Sequence, residues 1–194
     1  NGGEKVEPVS ILKVEKDGRT LYEAKQAQKQ RVLSEEVAFL MNHVLYDNNA
    51  RLLTFGANSF LNMSGRSIAV KTGTTNDKRD NWTIGWSTGA VVGVWVGNND
   101  NTPMKEVASG VTGASPIWRK IILKTWEKYK GDDFKPPSGV EARQVDTISG
   151  YPEHDGYPAR ADYFVKGTVP TEPDPVHTKV KVCKGDNNKL ASEV

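Results

Sequence analysis

The chain has 194 residues, a length that favours one domain or a domain and a half. Lys and Arg number 26 against 24 Asp and Glu, a formal charge of +2 with no polybasic run, so no nucleic-acid partner is expected. No apolar stretch reaches the roughly 18 residues of a membrane span, and the polar start Asn1-Gly2-Gly3-Glu4 reads as neither signal peptide nor anchor. The solitary Cys183 excludes an internal disulfide and a thiolate-rich zinc site, while His43, His154 and His177 look too scattered for a metal motif; no metal and no cofactor are expected. The apolar share of 37% is low for a self-sufficient globule.

In chain order, Val9 to Glu15 and Thr20 to Glu23 flank Lys16-Asp17-Gly18-Arg19 and predict a hairpin, because Asp-Gly supplies the positive φ angles of a tight turn. Ala24 to Gln30 is polar, suited to a linker or a solvated helix. Leu33, Val37, Leu40, Met41, Val44 and Leu45 then recur at helical spacing behind Ser34 as N-cap, with Glu35 and Glu36 in the first turn. From Asp47 to Arg66 the composition predicts a long irregular connection with a short strand or turn at Leu52 to Phe55.

Three strands follow, over Ser67 to Thr72, Trp82 to Ser87 and Ala90 to Val96, the last two forming a hairpin through Thr88-Gly89. The third is apolar on both parities, which predicts burial on both faces and helices above and below the sheet. Ser115 and Pro116 read as cap and first residue of a helix with an apolar face of Ile117, Trp118, Ile121, Ile122 and Trp126. Beyond Phe134, prolines space out short segments, with Val176 to Cys183 as an exposed strand. Residues 1–134 are thus expected to form the main body and 135–194 a loop-rich extension wrapped on it.

The most informative string is Ile68-Ala69-Val70-Lys71-Thr72-Gly73-Thr74-Thr75. A phosphate-binding P-loop needs glycine immediately before the lysine and a helix straight after; here Val70 precedes Lys71 and a turn follows. The alternative is one wall of an acyl-transfer site. Gly73 lets an extended peptide lie against the backbone, as in strand addition. The hydroxyls of Thr72 and Thr74 would hold a substrate carboxylate, Lys71 would supply positive charge and orient a proton relay, and the Thr74 amide would face a developing oxyanion. The plain alternative is an ordinary strand end, and the tetrapeptide needs context to become specific.

That context is present. Lys71 to Asp77, Asp80-Asn81-Trp82 and Val91 to Met104 closely resemble the transpeptidase domain of class A penicillin-binding proteins, and the resemblance extends through Pro8 to Glu15 with Asp17-Gly18, Arg31 to Ser34, Gly113 to Trp118 and, more loosely, Tyr163 to Pro170. It implies an α/β fold, an antiparallel sheet flanked by helices on both faces, of the penicillin-binding and β-lactamase type. It also implies a groove for a peptidoglycan stem peptide ending in D-Ala-D-Ala, mimicked by β-lactam antibiotics. In the family a serine from an SxxK motif is acylated and an SxN motif relays protons. By resemblance Lys71 pairs with the SxN hydroxyl, Thr72, Gly73, Thr74 and Thr75 border the substrate, and Thr74 completes the oxyanion hole.

The chain departs from the pattern at the nucleophile. Its SxxK string, Ser10-Ile11-Leu12-Lys13, lies in the first predicted hairpin, where the two side chains have opposite parity. No SxN precedes Lys71; Asn58-Ser59-Phe60 and Asn62-Met63-Ser64 run the wrong way. The expectation is the C-terminal half of a transpeptidase domain, inactive without its N-terminal half. The parent would be membrane-anchored and act outside the cytoplasmic membrane. A noncatalytic module that binds wall peptides is the reading from a different class. The unfinished domain should leave an apolar surface on the Ser34 helix and the sheet, favouring self-association.

Smaller signals read as structure. Asn98 to Asn101 lacks the central glycine and distal glutamate of a calcium loop and suits a polar turn. Trp82, Trp86 and Trp95 suit sheet packing, Asp77 and Asp80 solvated ion pairs beside Lys78 and Arg79, and Cys183 a bystander.

Overall fold

The computed structural model describes residues 1–25, 27–105, 112–177, 179–183 and 185–190, with backbone alone for 186–189. They divide into two compact units, Asn1–Pro137 and Ser138–Val194.

In the first unit β1 (Glu4–Val6) pairs with β4 (Lys29–Arg31), and β2 (Lys13–Lys16) with β3 (Arg19–Glu23). The predicted hairpin is present, with Asp17 and Gly18 at φ of 51° and 74°. Of the polar 24–30 segment, Lys29 and Gln30 join β4, and the other described residues form no helix. Next come α1 (Glu35–Tyr46) and the short α2 (Leu52–Phe55), which replaces the expected strand or turn. Ser34 Oγ accepts the Val37 amide, so the N-cap falls where the sequence puts it.

The centre is an antiparallel sheet in the order β5 (Ala69–Thr74), β6 (Asp80–Trp86), β7 (Val91–Gly97), followed by α3 (Ala114–Lys128). Cross-strand partners share a face, so the register sorts every side chain. Val70, Thr72 and Thr74 lie with Gly85, Thr83, Asn81, Val92, Val94 and Val96 toward α3. Trp118 and Ile122 of α3 complete this core with Leu61, Met63 and Ile68. Trp118 is 0% exposed and donates Nε1–H to the Val92 carbonyl. Gly85 must be glycine for this: a Cβ there would strike the Trp118 indole and sit 2.8 Å from the Ala69 carbonyl oxygen.

Ala69, Lys71, Gly73, Trp82, Ile84, Trp86, Val91, Gly93 and Trp95 occupy the opposite face. There α1 covers one end, with Phe39 buried and Asn42 Oδ1 accepting the Trp86 indole N–H at 2.8 Å. Helices thus lie on both faces, as expected, but β7 is not buried on both. Val91 is 72% exposed and Trp95 40%, because α1 packs against β5 and does not reach across to β7.

The start of α3 also differs from expectation. The helix opens at Ala114, and its cap comes from the sheet: Asn81 Oδ1 accepts the Ala114 amide at 2.7 Å. Ser115 is instead fully buried, its Oγ 2.9 Å from Thr83 Oγ1.

The second unit is built on the antiparallel pair β8 (Val140–Asp146) and β9 (Ala159–Val165) and a small pair, β10 (Val182–Cys183) with β11 (Asp186–Leu190). The predicted strand from Val176 is confined to Val182–Cys183, since Asp174 draws the amides of Val176 and His177 into a turn. Among the described residues no helix is long and apolar enough to cross a membrane.

Candidate active site

Lys71, Thr72, Gly73 and Thr74 end β5, the edge strand of the three-stranded sheet. Thr75 N–H donates to the Asp80 carbonyl at 3.0 Å, which makes 75 and 80 a hydrogen-bonded pair. Because such pairs alternate along an antiparallel ladder, residues 71 and 73 also bond toward β6, while the N–H and C=O of Thr72 and Thr74 point to the outer edge. Two features depend on that edge. The Lys71 ammonium folds over it and donates to the Thr72 carbonyl at 2.6 Å. The Thr74 amide faces outward, and the absence of a side chain at exposed Gly73 clears the approach.

The side chains alternate around this edge. Lys71 and Gly73 share the face of Ile84 and Trp82, and Thr72 and Thr74 share the α3 face. The Thr72 hydroxyl has no hydrogen bond to another described residue. Thr74 Oγ1 accepts Asn81 Nδ2–H at 3.1 Å, which leaves its own proton available to an anion. Asn81 therefore joins the strand end to the start of α3 through its two amide atoms. Its sequence signal was an amide residue beside Trp82 in a predicted strand region, and residue order alone assigned it no role.

Thr75 is engaged by the turn: its hydroxyl donates to Asp80 Oδ2 at 3.1 Å and accepts the Asp80 amide at 2.8 Å. Asp80 Oδ1 in turn accepts the Trp95 indole N–H at 2.8 Å. Asp80 thus braces the strand end, while Asp77 lies 3.8 Å from Arg79 in an exposed ion pair. The loop after β7 buttresses the same turn, Arg79 donating to the Asn101 carbonyl at 2.6 Å and Met104 N–H to the Lys78 carbonyl at 3.1 Å. Within that loop Asp100 Oδ1 accepts from the Thr102 hydroxyl and amide, which hold its carboxyl below the usual range. The polar-turn reading of 98–101 fits this arrangement.

Ser10 is exposed and precedes β2, and Lys13 Nζ pairs with Glu15 at 2.7 Å. The geometry does not bring Ser10 and Lys13 together as an activated pair. Two of the three histidines do converge, despite their spacing: His154 and His177 both meet Asp174 in the second unit.

Residues 1–123 match the model of the penicillin binding protein transpeptidase domain, and residues 136–179 that of the penicillin-binding protein 1A C-terminal domain. The first match spans most of the chain, so the chain belongs to the penicillin-binding protein transpeptidase family. It is 33% identical over 180 residues to penicillin-binding protein 2D of Bacillus subtilis (strain 168), covering 88% of this chain and 25% of that protein. Penicillin-binding protein 1A of Escherichia coli (strain K12) is 31% identical over 121 residues, covering 55% of this chain and 14% of the relative. The crystal structure of penicillin-binding protein 1A from Haemophilus influenzae superposes with a TM-score of 0.72 at 25% identity, covering 89% of this chain and 31% of that one. The expected α/β transpeptidase fold is present, and the chain spans 14% to 31% of the length of these curated and solved relatives.

Proposed function

We propose that this chain supplies one wall of a peptidoglycan D,D-transpeptidase site and works together with the part of the domain that carries the nucleophilic serine. The single observation behind this reading is the free edge of β5, with the Thr74 amide outward and the Lys71 ammonium folded over it. An extended stem peptide ending in D-Ala-D-Ala adds to that edge as a further strand. Thr72 and Thr74 hold its terminal carboxylate by charge-assisted hydrogen bonds. Thr75 borders the groove with its hydroxyl held by Asp80.

In the reaction the serine oxygen attacks the carbonyl carbon between the two D-alanines. The Thr74 amide stabilises the oxyanion, a contact whose loss typically costs about 2.7–4 kcal/mol. The C–N bond breaks and D-Ala leaves with a proton. The amine of a second stem peptide then displaces the serine, forming the cross-link. Lys71 keeps the SxN hydroxyl of the partner half placed for these proton transfers. A β-lactam enters by the same geometry and stops at the acyl-enzyme.

The exposed apolar residues beside Lys71, Trp82, Ile84 and Trp95, support packing of the N-terminal half on this face. The 1–134 segment belongs to the transpeptidase domain and 135–194 forms its C-terminal extension. The parent is anchored in the membrane and works in the cell envelope.

Labelled penicillin tests the reading. The intact protein is expected to become covalently labelled and the isolated 194-residue chain not. A correctly folded intact protein that binds stem peptide without labelling would overturn it in favour of a noncatalytic peptide-binding module.

A further inference from the structure

In the second unit three side chains far apart in sequence aim at one point. Asp174 Oδ2 lies 2.9 Å from His154 Nε2 and 2.8 Å from His177 Nδ1. The Asp174 side chain is only 1% exposed, against 15% for His177 and 27% for His154. The carboxylate is fixed from behind: Oδ1 accepts the Val176 amide at 2.7 Å, and Ser149 Oγ donates to Oδ2 at 2.9 Å.

Both imidazoles are also held in orientation. His154 keeps its remote Nδ1 3.5 Å from Asp155 Oδ2, and Asp155 is in turn paired with Lys179 at 3.0 Å. The His177 ring stacks on Tyr157 with centroids 4.2 Å apart. A second buried carboxylate, Asp146, places Oδ2 3.6 Å from His177 Nδ1, its other oxygen held by the amides of Ile148 and Ser149. A cleft lined by His154, Asp155, Glu172, Asp174 and His177 leads in from solvent.

Satisfying one buried carboxylate requires neither two histidines nor a carboxylate behind one of them. A metal ion uses both: two imidazole nitrogens and a carboxylate oxygen are a donor set suited to zinc and neighbouring divalent transition ions, and metal-bound histidines keep an outer carboxylate on the remote nitrogen. We propose that His154, Asp174 and His177 form a binding site for a divalent transition ion, with zinc the natural occupant and Asp155 orienting His154. The ion replaces the protons now shared between the histidines and Asp174. Bond lengths of about 2.0–2.2 Å at tetrahedral angles set ligand atoms about 3.3 Å apart. The present 2.8 and 2.9 Å separations must therefore widen by about 0.5 Å. His154 and His177, both more exposed than the fixed Asp174 carboxylate, supply that movement. Bound, the ion ties the 171–177 segment to the β8–β9 connection. This proposal does not depend on the transpeptidase reading.

Calorimetric titration of the metal-free full chain with Zn²⁺ tests it. One ion per chain is expected at micromolar or tighter affinity, weakened about tenfold by Asp155→Asn. Weakening should reach a hundredfold or more in His154→Ala or Asp174→Asn. Co²⁺ should give the visible absorption of a four-coordinate site in the unaltered chain and lose it in His177→Gln. Should His177 or Asp174 variants fail to fold, His154→Ala decides, because its side chain lies nearest the solvent. Absence of binding at millimolar Zn²⁺, or undiminished binding by His154→Ala, would overturn the proposal and leave the cluster a hydrogen-bonded knot.

Discussion

The two faces of the β5-β6-β7 sheet are made by the same three strands yet meet different surroundings. Toward α3 the face is closed beneath the helix, with Trp118 inserted over Gly85 and the two buried polar residues, Asn81 and Thr83, paired to the helix start, and Thr72 and Thr74 at the β5 end reach its rim. On the other face α1 seals only the Trp86 end, and Trp82, paired across the strands with Trp95, stays 43% exposed. Lys71 stands on this open side. A finished face holds the strands rigid, and an open one leaves reactive groups next to a surface that a further piece of protein can cover.

Substitutions on the two faces should therefore diverge. The largest effect is expected for Trp118→Ala, about 3–5 kcal/mol of lost stability in urea unfolding from the cavity left in the closed core. Gly85→Ala comes next, costing about 1–3 kcal/mol because the indole and the Ala69 carbonyl must yield. Its counterpart Gly93→Ala, on the open face with Ile84 at an ordinary 3.8 Å, should stay within about 0.5 kcal/mol. Equal costs at the two glycines would erase the distinction between the faces. Trp82→Ser is expected to change stability little, within about 1 kcal/mol. It should nonetheless reduce any self-association of the isolated chain in sedimentation, and unchanged association would place the contact elsewhere.

The closed face was largely legible from residue order. The periodicity from Ile117 to Trp126 marks α3, the β-branched runs mark β5 and β7, and Asp17-Gly18 marks the first hairpin. The half-open sheet was not, because alternating apolar residues in β7 read alike whether a face is buried in this chain or reserved for another. The cap of α3 was misread for a related reason. Ser115 has a capping residue's chemistry, but the helix opens one residue earlier and the sheet delivers Asn81 to the Ala114 amide through a contact 33 residues distant in sequence. At the site, Lys71 and its threonines stand together in the sequence, whereas the bracing by Asn81 and Asp80 comes from strand register. The His154, Asp174 and His177 convergence had no local pattern at all, since a turn around Asp174 and the β8–β9 connection must form first.

Under the proposed function the Lys71 ammonium on the β5 edge takes part in acyl transfer. Its most direct test is the rate at which labelled penicillin acylates the intact protein carrying Lys71→Gln, beside Lys124→Gln on the exposed side of α3 as a control. At least about a hundredfold loss is expected for Lys71→Gln, the scale of positioned proton transfer, with unfolding unchanged and the control at the normal rate. Acylation of the Lys71→Gln protein at the rate of the unaltered one would contradict it.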